Sequence, residues 1–120
     1  ITIPNGVTNI DSSAFENCSY LQSVTLPTNL VTIGSSAFKG CGSLGSITIP
    51  SSVQYIDDSA FKNCSLLSVV TVNRRITSIT NLGENVFDDC HDNLQRQRHC
   101  HSQLYIDKRI MYRVCLFSHS

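Results

Sequence analysis

What the sequence lacks narrows it first. It has no run of ~18 apolar residues, so no segment reads as a transmembrane helix. Charged residues are 15% of the chain and cancel to a formal net charge of zero. An ordinary soluble domain carries roughly 25%. Zero net charge excludes a whole-chain electrostatic claim on nucleic acid or anionic membrane. No histidine precedes His91, and no Cys-x-x-Cys pair occurs. A Ser–His–Asp or Cys–His set would have to be assembled from a distant end of the chain, which speaks against an enzyme. The paired carboxylates Asp57–Asp58 and Asp88–Asp89 read as solvated corners rather than acid–base machinery. No signal peptide is present, and the chain opens at Ile1 without a Met, as a piece of a longer parent would.

Ser and Thr fill the place of the missing charge. The 120 residues suffice for one domain whose core stands without staples. That core is written in an internal repeat. Pro4, Pro27 and Pro50 are 23 apart, and so are Phe15, Phe38 and Phe61, and Cys18, Cys41 and Cys64. The same step links Ile10, Ile33, Ile56 and Ile79, then Val7, Leu30, Val53 and Ile76, and Ile3, Leu26, Ile49 and Val72. It also links Val24, Ile47 and Val70, and Leu21, Leu44 and Leu67. A fourth copy carries three extra residues, placed within ITNLGENVF, which brings Phe87 and Cys90 into their columns.

In LQSVTLP, Val24 and Leu26 alternate with Ser23 and Thr25, the period-two pattern of a strand with one buried face. Pro27 ends that strand, because it has no N–H to donate. Leu30 to Ile33 forms a second short extended piece. GSSAFKG then predicts a turn into a single helical turn. No unit buries its apolar side alone, whereas stacking buries every column as a ladder.

This Leu-x-x-Val-x-Leu-Pro, Leu-x-x-Ile, Ala-Phe-x-x-Cys order resembles the BspA-like subclass of leucine-rich repeats. The resemblance covers Ile1 to about Leu94. Asn73 in place of Pro, Val86 in place of Ala, and Leu94 one place late depart from it. It implies an α/β repeat fold. That fold is a curved solenoid of about four units, near 1–23, 24–46, 47–69 and 70–94, with stacked parallel strands on one side and short strands and helical turns on the convex side. It also implies a surface or secreted protein that adheres to or binds a host or matrix protein, with no chemistry, no cofactor and no membrane insertion.

Residues 95–120 read differently. No Thr follows Thr80 and no Gly or Pro follows Gly83. This tail is a C-terminal cap, a truncated extension, or a non-native reading frame. LYIDKRIMYRVCLF is either a strand pair turning at Asp107–Lys108 or a helix with Ile106, Ile110, Val114 and Phe117 on one face.

Candidate residues fall into three groups. The structural ladder comprises Phe15, Phe38, Phe61 and Phe87 with Cys18, Cys41, Cys64 and Cys90. Identical side chains in a ladder point the same way, so these cysteines read as buried, weakly reactive thiols rather than disulfides. The binding face comprises the outward strand residues Gln22, Ser23, Thr25, Ser46, Thr48, Ser68 and Thr71, with Tyr55 as the aromatic on the second edge. The metal candidates are Cys90, His91, His99, Cys100, His101, Cys115 and His119, whose spacing fits no zinc motif. Arg74, Arg75, Arg96 and Arg98 with Tyr105 and Tyr112 lack a nucleic-acid recognition motif and read as a solvated basic end. The sequons Asn17-Cys18-Ser19 and Asn63-Cys64-Ser65 place Cys in the middle, which disfavours a glycan. Two rival functions remain: a spacer repeat without its own ligand, and a zinc-binding tail.

Overall fold

The alternating segments of the repeat form short parallel strands in a computed structural model, which describes residues 1–72, 81–91, 102–106 and 110–116. Two sheets run through the stack. The first joins β1 (Asn9–Ile10), β2 (Thr32–Ile33), β4 (Tyr55–Ile56) and β6 (Asn81–Leu82), one two-residue strand per unit. The second joins β3 (Ser46–Ile49), β5 (Val69–Val72), β8 (Ile110–Leu116) and β7 (Ser102–Ile106). In the first two units the matching segments meet only as a parallel bridge between Thr2 and Thr25. The chain is a repeat solenoid of parallel strands.

Register follows the repeat. Ile10 lies opposite Ile33, Ile33 opposite Ile56, and Thr48 opposite Thr71. The fourth unit corrects the expected placement of its insertion. Ile56 pairs with Leu82, not with Ile79, and Tyr55 pairs with Asn81. The extra residues therefore precede Asn81, and the run Leu82 to Cys90 matches Ile33 to Cys41 position for position. The physical marker is glycine. A Cβ at Gly34 would stand 2.7 Å from the Ile10 carbonyl oxygen, and one at Gly83 would stand 2.5 Å from the Asp58 amide nitrogen. Both sites need a residue without a side chain where one unit's backbone presses on the next. Asn73, Ile76, Thr77, Ser78, Ile79 and Leu94 lie outside the described residues.

The Ala-Phe-x-x-Cys segments are not helical. No helix occurs among the described residues. From Ser13 to Cys18 two sets of backbone bonds alternate. Ala14, Glu16 and Cys18 donate to the carbonyls of Asp11, Ser13 and Phe15, three residues back in their own unit. Ser13, Phe15 and Asn17 donate instead to Ser35, Ala37 and Lys39 of the next unit, at 2.9, 2.7 and 2.6 Å. The same alternation recurs from Ser36 and from Ser59. A helix would spend every N–H within its own segment, whereas here half of them join units together. The geometry requires φ near +60° at Ser13 and Asn17, Ser36, Ser59 and Asn63, Asn85 and Asp89, and +76° at Gly40. Asn, Asp and Gly tolerate that region best, which accounts for Asn-Cys, Gly-Cys and Asp-Cys at the close of each segment.

The tail takes the strand-pair form rather than the helix. β7 and β8 run antiparallel with Ile106 opposite Ile110. β8 then adds to β5 in parallel, with Cys115 opposite Thr71. The turn residues Asp107 and Lys108 lie outside the described residues.

The core lies between the two sheets and the alternating turns. Phe38, Phe61, Phe87, Leu30, Ile33, Leu44, Ile49, Ile56 and Leu67 are its largest fully buried side chains. Each contributes about 1.5–3 kcal/mol of transfer free energy.

Candidate functional site

The interior columns fix where the outward ones point. Phe15, Phe38, Phe61 and Phe87 stack with ring centroids 5.2, 5.3 and 5.6 Å apart and planes within 9° of parallel. The cysteines run beside them. Each thiol donates to the carbonyl of the preceding unit's phenylalanine: Cys41 to Phe15 at 3.2 Å, Cys64 to Phe38 at 3.1 Å and Cys90 to Phe61 at 3.2 Å. The column is thus more than a small hydrophobe. It adds a second donor from the neighbouring unit to carbonyls that already accept the backbone N–H of Cys18, Cys41 and Cys64. Burial pushes the Cys41 thiol from an ordinary 9.0 up to about 11, with the neighbouring Cys18 adding to the rise. Burial likewise pushes Cys90 up to about 12, and raises Cys64 too. Cys18, Cys41, Cys64 and Cys90 are free thiols. The expectation of a buried column is corrected at two positions: Cys18 is exposed and Cys90 is half-buried.

The outward columns lie along the second sheet. Gln22, Ser23, Thr25, Ser46 and Thr48 are exposed, and Ser68 is half-buried. Thr2 continues the line through its bridge to Thr25. Thr71 departs from the expectation. It is only 7% exposed, because it sits between Thr48 on one side and Cys115 of β8 on the other. Tyr55 is exposed on the narrow sheet. Tyr20 is more so, at 92%. Its signal was available: it sits between Ser19 and Leu21, one place before a core column and so turned away from it.

A cleft of about 280 Å³ opens on this face between the second and third units. Ser23, Thr25, Thr28, Ser46 and Thr48 line it with hydroxyls, over a floor that includes Val24, Leu26 and Ile47. No charged side chain reaches it. Such a site can offer hydrogen bonds and shape but no electrostatic steering.

Among the described residues, no group of three His, Cys, Asp or Glu side chains is placed to hold a metal ion. His99, Cys100, His101 and His119 lie outside those residues, as does the side chain of Cys115. Arg74, Arg75, Arg96 and Arg98 lie outside them as well, with the side chains of Tyr105 and Tyr112. Among the described residues, no helix is long and apolar enough to cross a membrane.

Comparison with known proteins agrees with the repeat architecture. The family model of the BspA type leucine rich repeat region matches residues 1–115, in six copies. The match runs past Leu94 and takes in much of the tail. A crystal structure of a leucine-rich repeat protein from Bacteroides ovatus is similar, with a TM-score of 0.65 and 33% sequence identity. The similarity covers 73% of this chain and 22% of that one, so this chain spans about a fifth of that protein's length. No curated protein matches the chain.

Proposed function

Because the chain belongs to the BspA type leucine-rich repeat family, whose repeats generally mediate protein interactions and are generally not enzymes, we propose that it is the adhesive interaction module of a larger surface or secreted protein. Its partner is a host or matrix protein. Contact runs through Gln22, Ser23, Thr25, Ser46, Thr48 and Ser68, with Tyr55 on the adjoining edge. Thr71 is left out of this set because it is buried. The observation that carries the reading is the register line Thr2, Thr25 and Thr48. It is exposed throughout, uncharged, and continued by the hydroxyls of Ser23 and Ser46. Weak contacts of this kind gain strength by repetition along a longer array. The antiparallel pair β7–β8 is seated on β5.

The test is a charge substitution on that line. Thr25→Arg with Thr48→Arg, made in the full-length protein, lowers attachment to the partner surface by roughly tenfold or more while leaving the fold intact. Unchanged attachment with native stability would sink the binding face and leave the chain a spacer.

A further inference from the structure

The second sheet is broken in its middle. Thr25 spends both backbone groups on the first unit: its N–H donates to the Ile1 carbonyl at 2.9 Å, and its carbonyl accepts from Ile3 at 3.1 Å. Alternation along a strand then turns the backbone groups of Val24 and Leu26 toward the third unit. On the other lip, Ser68 donates to the Gly45 carbonyl at 3.0 Å, which sets the face of β3 that serves β5. Gly45, Ile47 and Ile49 lie on that face. Ser46 and Thr48 therefore turn their N–H and carbonyl groups the other way, toward Val24 and Leu26. Among the described residues, no backbone hydrogen bond joins these two lips. The hydroxyl-lined cleft lies between them. The seam is local, since the narrow sheet crosses the same unit boundary intact through Thr32–Tyr55 and Ile33–Ile56.

We infer that this seam is a seat for an extended peptide strand, held by backbone pairing. The inference rests on the reading of the chain as an interaction module and names the partner's form. Ser46 and Thr48 present donors and acceptors two residues apart, at the ~6.6 Å pitch of extended backbone. A peptide strand presents its own groups at the same pitch, which a sugar or a small anion does not. Strand addition of this kind draws affinity from the main chain and specificity from alternate side chains. The uncharged lining selects a segment whose residues alternate between apolar and hydroxyl-bearing types. The chain's own strand, Leu44 to Pro50, has that pattern and serves as the probe.

Three measurements on the intact chain decide the matter. In hydrogen exchange, the amides of Ser46 and Thr48 exchange about tenfold or more faster than those of Ile47 and Ile49. Equal protection would mean that the seam is paired and the proposal is wrong. Thr48→Pro removes an N–H that the seam leaves open, so it melts near the wild type, whereas Ile49→Pro, which cuts a β3–β5 bond, melts well below it. Equal losses would again overturn the proposal. A synthetic Leu-Gly-Ser-Ile-Thr-Ile-Pro peptide at millimolar concentration slows exchange at Ser46 and Thr48, and the same peptide N-methylated at alternate amides does not. No protection, or equal protection by both peptides, would reject backbone pairing. These readouts are independent of the arginine scan. Slow exchange with attachment still lost on Thr25→Arg/Thr48→Arg removes the seam and keeps the face. Fast exchange and peptide protection with attachment retained removes the face and keeps the seam.

Discussion

The two sheets of this solenoid are built from one repeat and behave differently. The narrow sheet, β1–β2–β4–β6, pairs without interruption through every described unit, and the alternating turns behind it do the same. The wide sheet pairs from Thr48 to Thr71 to Cys115, and from Thr2 to Thr25, but not from Thr25 to Thr48. One unit boundary can thus be closed along its back and open along its front. The back holds the phenylalanine stack, the thiol donors and the inter-unit turn bonds. The front holds hydroxyls. In a solenoid, stability comes from each unit's contact with its neighbours. Concentrating that contact on one side leaves the other side free to present a seam.

The sharpest way to break this division is to remove the back. Phe61 is fully buried and stacks between Phe38 and Phe87. Phe61→Ala removes both contacts and is expected to cost about 3–5 kcal/mol, read as a loss of denaturation midpoint. That is a large part of a small domain's stability. A loss below ~1 kcal/mol would mean that the stack does not hold the units together.

Next in size is Gly34→Ala. The added Cβ would meet the Ile10 carbonyl oxygen and the Ser12 amide nitrogen, both at 2.7 Å, and backbone cannot swing aside. The expected cost is about 1–3 kcal/mol. Gly6 is the control, since a Cβ there meets nothing within 4 Å. Gly6→Ala should leave the midpoint unchanged, and parity between the two variants would show that the back of the stack is looser than drawn.

The same glycine explains what could and could not be read from the chain. The columns of Ile, Leu, Phe and Cys were legible because each recurs at a fixed step, and fixed recurrence in a chain this length has no other physical source than stacking. The insertion was misplaced because Ile79 and Leu82 are both apolar and three apart, so hydropathy alone does not choose between them. Gly83 chooses, since it follows Leu82 as Gly34 follows Ile33 and meets the same close backbone. The alternating turns resemble helical turns in sequence for a related reason. Ser and Gly before Ala-Phe suggest a turn into a helical turn, whereas Ser13 and Asn17 carry positive φ at a spacing of four, which no helix sustains. The thiol donors were read only as packing, because a hydrogen bond to another unit's carbonyl leaves no mark in the sequence. The seam was not legible at all. Val24-Thr25-Leu26 and Ile47-Thr48-Ile49 are near copies, and whether two copies touch is set by the stacking of whole units.

Alkali tests the back of the stack in a graded way. The thiols of Cys41 and Cys90 sit at about 11 and about 12 in the folded protein, raised by burial from 9.0. Above pH ~9 the unfolded chain therefore binds fewer protons than the folded one, and stability falls as pH rises. The contribution is fully present below that point and is lost progressively toward the folded values. The urea midpoint should be flat in this respect from pH 7 to about 9 and then decline. Cys41→Ser with Cys90→Ser should flatten part of the decline, with Cys64 carrying the rest. A thiol reagent at pH 8 offers the complementary view: Cys18 is exposed and reacts in the native state, whereas Cys41 and Cys64 react only on unfolding.

The smallest effect compares the two sides of the front itself. Thr48 and Thr71 are neighbours in register, yet Thr48 is exposed and Thr71 is 7% exposed. The difference lies in what flanks each strand. β5 has a partner on both sides, whereas β3 has β5 on one side and the seam on the other. Thr71→Ala should cost about 1 kcal/mol, because it empties a filled position between two paired strands. Thr48→Ala should fall within about 0.5 kcal/mol of the wild type, because its side chain borders open space. The pair isolates the seam from side-chain identity, since residue type, strand position and neighbouring column are held constant. Equal costs at the two positions would mean that Thr25 and Thr48 close on each other in solution, and that the front is as continuous as the back.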